Sequence, residues 1–502
     1  MTRCFLLLVD GLRPDVAERR LTAGDLPHIS AMLRQGGRTT AITGFPSTTS
    51  VAYLPFLTGC TPGHCNIPSI RWLDRSAYTG RWWRDRNAIR SYCGYQAPML
   101  DDDIRRDVRT IFELVPESVG IFTPVARGLS RDRDPSRRER KVWGSLAHVS
   151  TWHQPSDDAV ARHLLRAAEG SSRFVFAQFP AVDGFTHQSG ADSAPVHRAL
   201  TRVDNAVGRL RQQLTTKGDI EDSLILIVSD HGASPVHTHL DLADWFRSQG
   251  VPTLAHPVVW ERKPRAAVMV AGNGSAMVYA RPDEPRRQRL PMEQLRRAET
   301  FGSGRDIPDA LIREPSVAFV AAESKDGSIV IESTTGSARI TERDGEICYQ
   351  PLAGDPLLLG ELRSASARQW LEATWDAPYP DAPFHLLDQF RSPRSGDLLV
   401  IAKEGYDFRG RYEIPEHRWG HGSLTRAHMQ TPVWSSRPVP AGPLRTVDLF
   451  PGMLEWLGYP VPHGIDGELV WLPGEHRLNG KTRRPAVVAS ASLPADEVTI
   501  TV

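Results

Sequence analysis

Several stretches of the chain share one hydrophobic pattern, an apolar and β-rich run that stops at an aspartate. They extend from Phe5 to Asp10, from Phe174 with some interruption to Asp183, and from Leu224 to Asp230. Runs that are apolar on both faces suit central parallel strands covered by helices, and open α/β sheets place their chemistry in the loops at the carboxyl ends of such strands. The aspartates are therefore expected to converge. Behind Pro195, residues Val196, Leu200, Val203, Val207, Leu210 and Leu214 recur at helical spacing, which predicts the crossover helix between the second and third runs. From 263 to 392 the texture changes to short β-like pieces such as Val317 to Ala321 and Ser328 to Ile331, with the turn residues Asp326-Gly327 between them. The expected organisation is an α/β core over 1–262, an inserted β-rich cap over 263–392, and a second part of the core over 393–475. That second part resumes at Asp397 to Ile401 and includes a helix around Val447 to Leu457. Residues 476–502 have few apolar anchors and read as a loosely held tail.

Composition removes several classes of function. The 60 basic and 59 acidic side chains nearly cancel, so no whole-molecule field attracts nucleic acid or a membrane surface. The arginine-rich run from Arg127 to Lys141 lacks interleaved aromatic residues and reads as a solvated loop, so no specific nucleic-acid binding is expected. Five cysteines, an odd number without metal-type spacing, argue against a disulfide framework and fit a reducing cytoplasm. The apolar run at the amino terminus ends at Asp10 with no small-residue cleavage site, and is read as the first buried strand. No apolar run approaches the roughly 20 residues that span a bilayer.

The candidate chemistry lies at the ends of the predicted strands. Asp10, Asp183, His187, Asp230, His231 and His421 form a set of oxygen and imidazole donors without cysteine, suited to a hydrolytic site with two divalent metal ions. Zinc (Zn2+) is expected over magnesium because nitrogen ligands suit it better, with manganese (Mn2+) as the second choice. Each pair alone is weak, since an Asp-His-Gly after a strand is often only a hydrogen-bonded loop. Their placement at successive strand ends is what points to metal. The run Phe45 to Tyr53 adds Thr48, Thr49 and Ser50. Hydroxyl residues in such a run ordinarily cap a helix. A threonine beside a metal ion can instead become a nucleophile, because the ion lowers its pKa, and a helix amino terminus just behind it would favour a phosphoryl anion.

Together these residues resemble the alkaline phosphatase superfamily, particularly its nucleotide pyrophosphatase/phosphodiesterase branch. The marks are Leu-Leu-Leu-Val-Asp-Gly at 6–11, Pro-Ser-Thr-Thr at 46–49 with Leu-Thr-Gly at 57–59, Asp183 to His187, Ser-Asp-His-Gly at 229–232 and Gly-His-Gly at 420–422. Val447 to Pro451 and Gly464 to Gly467 look like the closing segment of that family. The resemblance implies an alkaline-phosphatase-like three-layer α/β sandwich with a largely parallel central sheet. It implies that Asp183, His187 and His421 bind one zinc ion, and that Asp10, Asp230, His231 and the Thr49 oxygen bind the other. Counted back from Thr58-Gly59, the family's nucleophile falls on Thr49 rather than Thr48. The implied activity is hydrolysis of a small phosphorylated substrate, a phosphodiester or nucleotide pyrophosphate, through a covalent threonine intermediate. A phosphomonoesterase on the same site is the main alternative, and a catalytically silent binding protein of the same fold is another.

The chain departs from that branch in places. Val51-Ala52-Tyr53-Leu54 stands where a Pro-Asn-His-Tyr-like run is usual, and Ile70-Arg71-Trp72 occupies the region of a phosphate-contacting asparagine. Arg71 is therefore a candidate substrate-binding residue, with pairing to Asp74 or another surface acid as the ordinary alternative. Cys60-Thr61-Pro62-Gly63-His64 superficially looks like a sulfatase formylglycine motif, but it follows Leu-Thr-Gly and ends in His instead of Arg. His237, His239 and His417 are candidates for orienting ligands, and Trp72, Trp82 and Trp83 for stacking on a base or aryl group.

Overall fold

The computed structural model describes residues 1–94, 96–142, 152–257, 259–360, 364–410, 416–440 and 442–473. The tail expected over 476–502 lies outside the described residues.

Strands β1 (Arg3–Val9), β2 (Gly37–Ile42), β3 (Ser118–Ile121), β4 (Phe174–Phe179), β5 (Ser223–Val228), β6 (Gln430–Ser435) and β7 (Leu444–Arg445) form a seven-stranded sheet in the order β7-β2-β6-β5-β1-β4-β3. The neighbours β5-β1-β4-β3 run parallel, and β6 is inserted antiparallel between β5 and β2. The alternation of side chains along β1 explains why the run is apolar throughout. Cys4, Leu6 and Leu8 enter one buried cluster, while Phe5, Leu7 and Val9 enter another on the opposite face. Strand β5 divides in the same way, into Leu224, Leu226 and Val228 against Ile225 and Ile227.

The principal helices are α1 (Leu54–Thr58), α2 (Gln154–Glu169), α3 (Ala181–Ser189) and α4 (Ala194–Lys217). Helix α4 is the expected crossover, and all six of its periodic apolar residues are buried against the second face of the sheet. It ends at Gly218, whose φ of 77° is the left-handed conformation that commonly terminates helices.

A second sheet has nine strands, in the order Ser364–Ser366, Glu346–Gly354, Gly336–Arg343, Ile329–Ser333, Val317–Glu323, Leu398–Ala402, Ser275–Ala280, Ala266–Ala271 and Thr253–Ala255. The region between 263 and 392 is β-rich as expected, but the strand read as a return to the core is not one. Leu398–Ala402 pairs antiparallel with Ser275–Ala280 on one side and Val317–Glu323 on the other, at the centre of this second sheet. The sheet also begins earlier, at Thr253. The second sheet packs on the first, since Met269, Met277, Phe319, Leu399 and Ile401 share one buried cluster with Leu6, Phe56 and Leu57. Its other face packs on Phe246, Phe301 and Leu311. Among the described residues no helix is long and apolar enough to cross a membrane.

Candidate active site

Adjacent strands β5, β1 and β4 end side by side, and the candidate residues follow those ends. Asp10 comes directly after β1, and Asp230 and His231 lie just beyond β5. The second run stops sooner than expected. Strand β4 ends at Phe179, and Asp183 and His187 stand one turn apart on α3. That i, i+4 spacing puts both side chains on one helix face, with Asp183 Oδ2 3.2 Å from His187 Nε2. Gly184, between them, is required by packing, since a Cβ there would lie 2.3 Å from His153 Nδ1. Gly11 is required for a related reason. Its φ is 68°, and a Cβ would meet Asp183 Oδ1 at 2.7 Å, so only glycine lets β1 turn this close to α3.

His421 arrives from the other direction, on a segment where Trp419–Gly420 pairs with Ser234–Pro235 and His421 bridges to Asn273. Its ring stacks on His231 at 3.7 Å between centroids and lies 5.2 Å from that of His187. All six candidate ligands thus meet in one place.

The arrangement of protons around them is informative. His187 Nδ1 is 2.7 Å from the Trp419 carbonyl, His421 Nδ1 is 2.9 Å from that of Ser47, and His231 Nδ1 is 3.0 Å from that of Gly232. A carbonyl oxygen only accepts, so each Nδ1 carries a proton, and in the neutral ring Nε2 offers its lone pair to a cation. Those Nε2 atoms face carboxyl groups, which only accept when ionised. His231 Nε2 lies 3.3 Å from Asp230 Oδ2 and 3.4 Å from Asp10 Oδ1. Asp230 Oδ2 and Asp183 Oδ1 are buried with no hydrogen-bond donor. Acceptors turned toward acceptors in a buried site repel one another unless a cation lies between them, so the donor set fits divalent metal ions.

Two groups have donor atoms all within 4.8 Å of one another, Asp183-His187-His421 and Asp10-Asp183-His231. The first coincides with one implied ligand set. The second contains Asp10 and His231 of the other set, and Asp183 belongs to both. Asp230 stands beside the second group through its contact with His231. Electrostatics follow from this crowding. Burial, reinforced by the Asp230 and Asp183 carboxylates, pushes Asp10 well above the usual carboxylate range. Burial and the Asp183 charge push Asp230 up to about 8. Burial opposes ionisation of Asp183 too, but His187 with His421 and His231 overcomes it and holds Asp183 below the usual range. Burial, with His231 beside it, pushes His421 well below the ordinary imidazole value.

Thr49 faces this cluster. Its Oγ1 is 3.3 Å from His231 Nε2 and 3.5 Å from Asp10 Oδ1, and the residue is partly open. Thr48 is fully buried and its Oγ1 has no hydrogen-bond partner. Ser50, next in the chain, has a φ of 75°. The helix expected immediately behind Thr49 starts later. Residues 49–53 form turns, and α1 begins at Leu54 with only five residues. A helix terminus therefore does not point directly at the Thr49 hydroxyl.

Pattern reading missed the residues that hold Asp10. Its Oδ2 accepts from Gln178 Nε2 at 2.7 Å and Tyr53 Oη at 3.0 Å, which leaves Oδ1 toward Thr49. Gln178 was visible as a polar residue in an otherwise apolar strand, and Tyr53 stands within the departure from the family run. Gly272 was not singled out either. It lies against the His421 ring, where a Cβ would be 2.6 Å from Nδ1.

The remaining candidates divide. His417 stacks on His187 at 4.1 Å. His239 instead pairs with Asp407 and Glu416, and His237 is exposed, so neither orients a ligand. Trp72 is buried and donates to Tyr92 Oη, so it cannot stack on a ligand, while Trp83 is exposed. Arg71 makes no ion pair among the described residues. Asp74 accepts from Ser76 instead, and Arg71 Nη1 reaches the Val270 carbonyl at 3.4 Å, two residues before Gly272.

The family model for type I phosphodiesterase / nucleotide pyrophosphatase matches residues 4–346. Among solved structures, wild-type alkaline phosphatase PafA is 13% identical with a TM-score of 0.58, over 93% of this chain and 98% of that one. An inactive threonine-to-alanine variant of murine ectonucleotide pyrophosphatase / phosphodiesterase 5, in complex with AMP, is 12% identical with a TM-score of 0.52, over 93% and 98%. Phosphonoacetate hydrolase from Sinorhizobium meliloti 1021, in complex with phosphonoacetate, is 14% identical with a TM-score of 0.55, over 91% and 96%. No curated protein matches by sequence. The fold is that of the alkaline phosphatase superfamily.

Proposed function

The chain belongs to the type I phosphodiesterase / nucleotide pyrophosphatase family of phosphoric-ester hydrolases, and from that premise we propose that it cleaves a phosphodiester or nucleotide pyrophosphate through a covalent Thr49 intermediate at a two-zinc site. The observation that carries this reading is the position of the Thr49 hydroxyl, within 3.5 Å of both Asp10 and His231. Asp183, His187 and His421 would hold one ion; Asp10, Asp230, His231 and the Thr49 oxygen would hold the other. Bound cations neutralise charge at phosphorus and lower the pKa of a ligated hydroxyl. Thr49 Oγ1 attacks phosphorus, the bond to the leaving oxygen breaks, and water then hydrolyses the phosphorylated threonine. Tyr53 and Gln178 fix Asp10 throughout by occupying its outer oxygen. The three backbone carbonyls that take the Nδ1 protons keep the imidazoles in the tautomer that the site requires.

A specific observation favours a second reading, a phosphomonoesterase. Arg71 is a guanidinium whose Nη1 reaches only a backbone carbonyl among the described residues, and its Nε is buried and unpaired. Such a group can make charge-assisted bonds to a terminal phosphate, which carries one charge more than a diester. Turnover of an aryl phosphodiester, an aryl phosphomonoester and a nucleotide pyrophosphate, compared between wild type and Arg71→Ala, separates the readings. The diester reading expects the wild type to prefer the diester or pyrophosphate. The variant is expected to lose roughly tenfold on monoester and pyrophosphate, and about threefold or less on the simple diester. Equal losses on every substrate, or none, would return Arg71 to a structural role.

A further inference from the structure

The segment from Cys60 to His64 forms a second cluster, beyond the far end of α1 from Thr49. Cys60, His64 and Asp466 bring a sulfur, an imidazole nitrogen and a carboxylate oxygen within 4.8 Å of one another. His64 Nδ1 lies 2.9 Å from Asp466 Oδ2, and the imidazole stands beside the Cys60 sulfur. The Cys65 thiol sits beside Cys60, donating to its backbone carbonyl at 3.8 Å, and its Sγ lies 3.5 Å from Thr58 Oγ1. Both cysteines are free thiols.

The donor set could hold a metal ion, but the carboxylate is already engaged. Asp466 Oδ2 accepts from the Thr61 amide and His64, Oδ1 accepts from Arg391, and the Thr61 hydroxyl is shared between Asp466 and Asp388. A carboxylate with both oxygens engaged by donors orients the imidazole and leaves the thiol as the reactive atom. The arrangement is that of an activated thiolate. The neighbouring Cys65 thiol, together with His64, brings Cys60 down to about 6 against the effect of burial. His64, held first by Asp466 and then by Cys60, rises to about 10 and stays protonated. The cluster is covered thinly, with the His64 and Asp466 side chains 16% and 14% exposed and Cys60 itself only 3%. A small hydroperoxide is a better fit to such a site than a bulky electrophile.

We infer that Cys60 is a peroxide-reactive thiol, activated by His64 and Asp466, and that Cys65 resolves its oxidised form into a Cys60–Cys65 disulfide. The Cys60 thiolate attacks one oxygen of the peroxide and the O–O bond breaks. The departing oxygen takes a proton from the His64 imidazolium and leaves as water, so that Cys60 becomes a sulfenic acid. The Cys65 sulfur then attacks the Cys60 sulfur, and the sulfenic hydroxyl leaves with the Cys65 proton as a second water. One peroxide is reduced and two thiols are oxidised, by two electrons in all.

Trypsin places both cysteines on one peptide, Thr39 to Arg71, which contains no other cysteine. The full-length protein is treated with hydrogen peroxide, alkylated and digested, and that peptide is followed by mass against the one carrying the more exposed Cys348. The expected result is loss of two hydrogens, reversed by dithiothreitol, at least about tenfold faster than Cys348 oxidises. In Cys65→Ser the reaction stops at a sulfenic acid that dimedone traps on Cys60, and His64→Gln slows the first step by about tenfold. Oxidation of Cys60 no faster than that of Cys348, in the wild-type protein, overturns the inference. None of these readouts depends on phosphoric-ester hydrolysis, so their failure and a failure of the proposed activity are distinguishable.

Discussion

Thr49→Ala is expected to lose turnover by about 10^3-fold or more while the protein keeps its fold. The loss corresponds to roughly 4 kcal/mol of barrier, a scale reached when a reacting group is removed and not when a neighbour is trimmed. The residue lies in turns before α1 and its hydroxyl points into the ligand cluster, so its removal leaves the core strands untouched. The control is Thr48→Ala. Thr48 is fully buried and its hydroxyl has no partner, so the expected cost is about 1 kcal/mol of stability from lost packing, with the rate changed by about threefold or less. Thr49→Ser should retain measurable activity, because a primary hydroxyl reaches the same ligands. Initial rates on an aryl phosphodiester, with circular dichroism for each variant, decide the matter. An inactive Thr48→Ala beside an active Thr49→Ala would move the nucleophile by one residue.

The second large effect belongs to Asp183. Its carboxylate is common to both ligand groups, and its Oδ1 is buried without a donor. Asp183→Ala therefore weakens both cation sites at once. Elemental analysis after dialysis is expected to fall from two zinc ions per chain to less than one, and turnover to fall by about 10^3-fold. Asp230→Ala touches one group only and should spare more of the metal bound by Asp183, His187 and His421. Exhaustive chelation of the wild type should remove activity, and added zinc should restore it. A variant at Asp183 that keeps both ions and its full rate is incompatible with the proposed site.

The residues proposed for this chemistry are readable because they lie in short local patterns at strand ends. Asp10, Asp230 and His231 each follow a run whose two faces are both buried, and that pattern is visible without any tertiary knowledge. Helix α4 was equally plain, since its six apolar residues share one face. Other features depend on contacts distant in the chain. Leu398–Ala402 is buried at every position, so its composition is the same whether it joins the first sheet or the second. Its neighbours, Ser275–Ala280 and Val317–Glu323, decide which, and no local signal names them. The double membership of Asp183 arises because α3 starts soon after β4 and turns the carboxylate back toward Gly11. The grip of Tyr53 and Gln178 on Asp10 likewise joins residues far apart in sequence. The short α1 reflects the turn at Ser50 and Pro55 near its start, which a count of hydroxyl residues does not reveal.

The central claim is that Thr49 forms a covalent bond to phosphorus, and the stereochemical course of hydrolysis tests it most directly. A P-chiral aryl nucleoside phosphorothioate diester is hydrolysed in isotopically labelled water, and the configuration of the product is determined. Each in-line displacement inverts phosphorus, so attack by Thr49 followed by attack of water predicts overall retention. Overall inversion would mean that water attacks the substrate directly, and would contradict the covalent role assigned to Thr49.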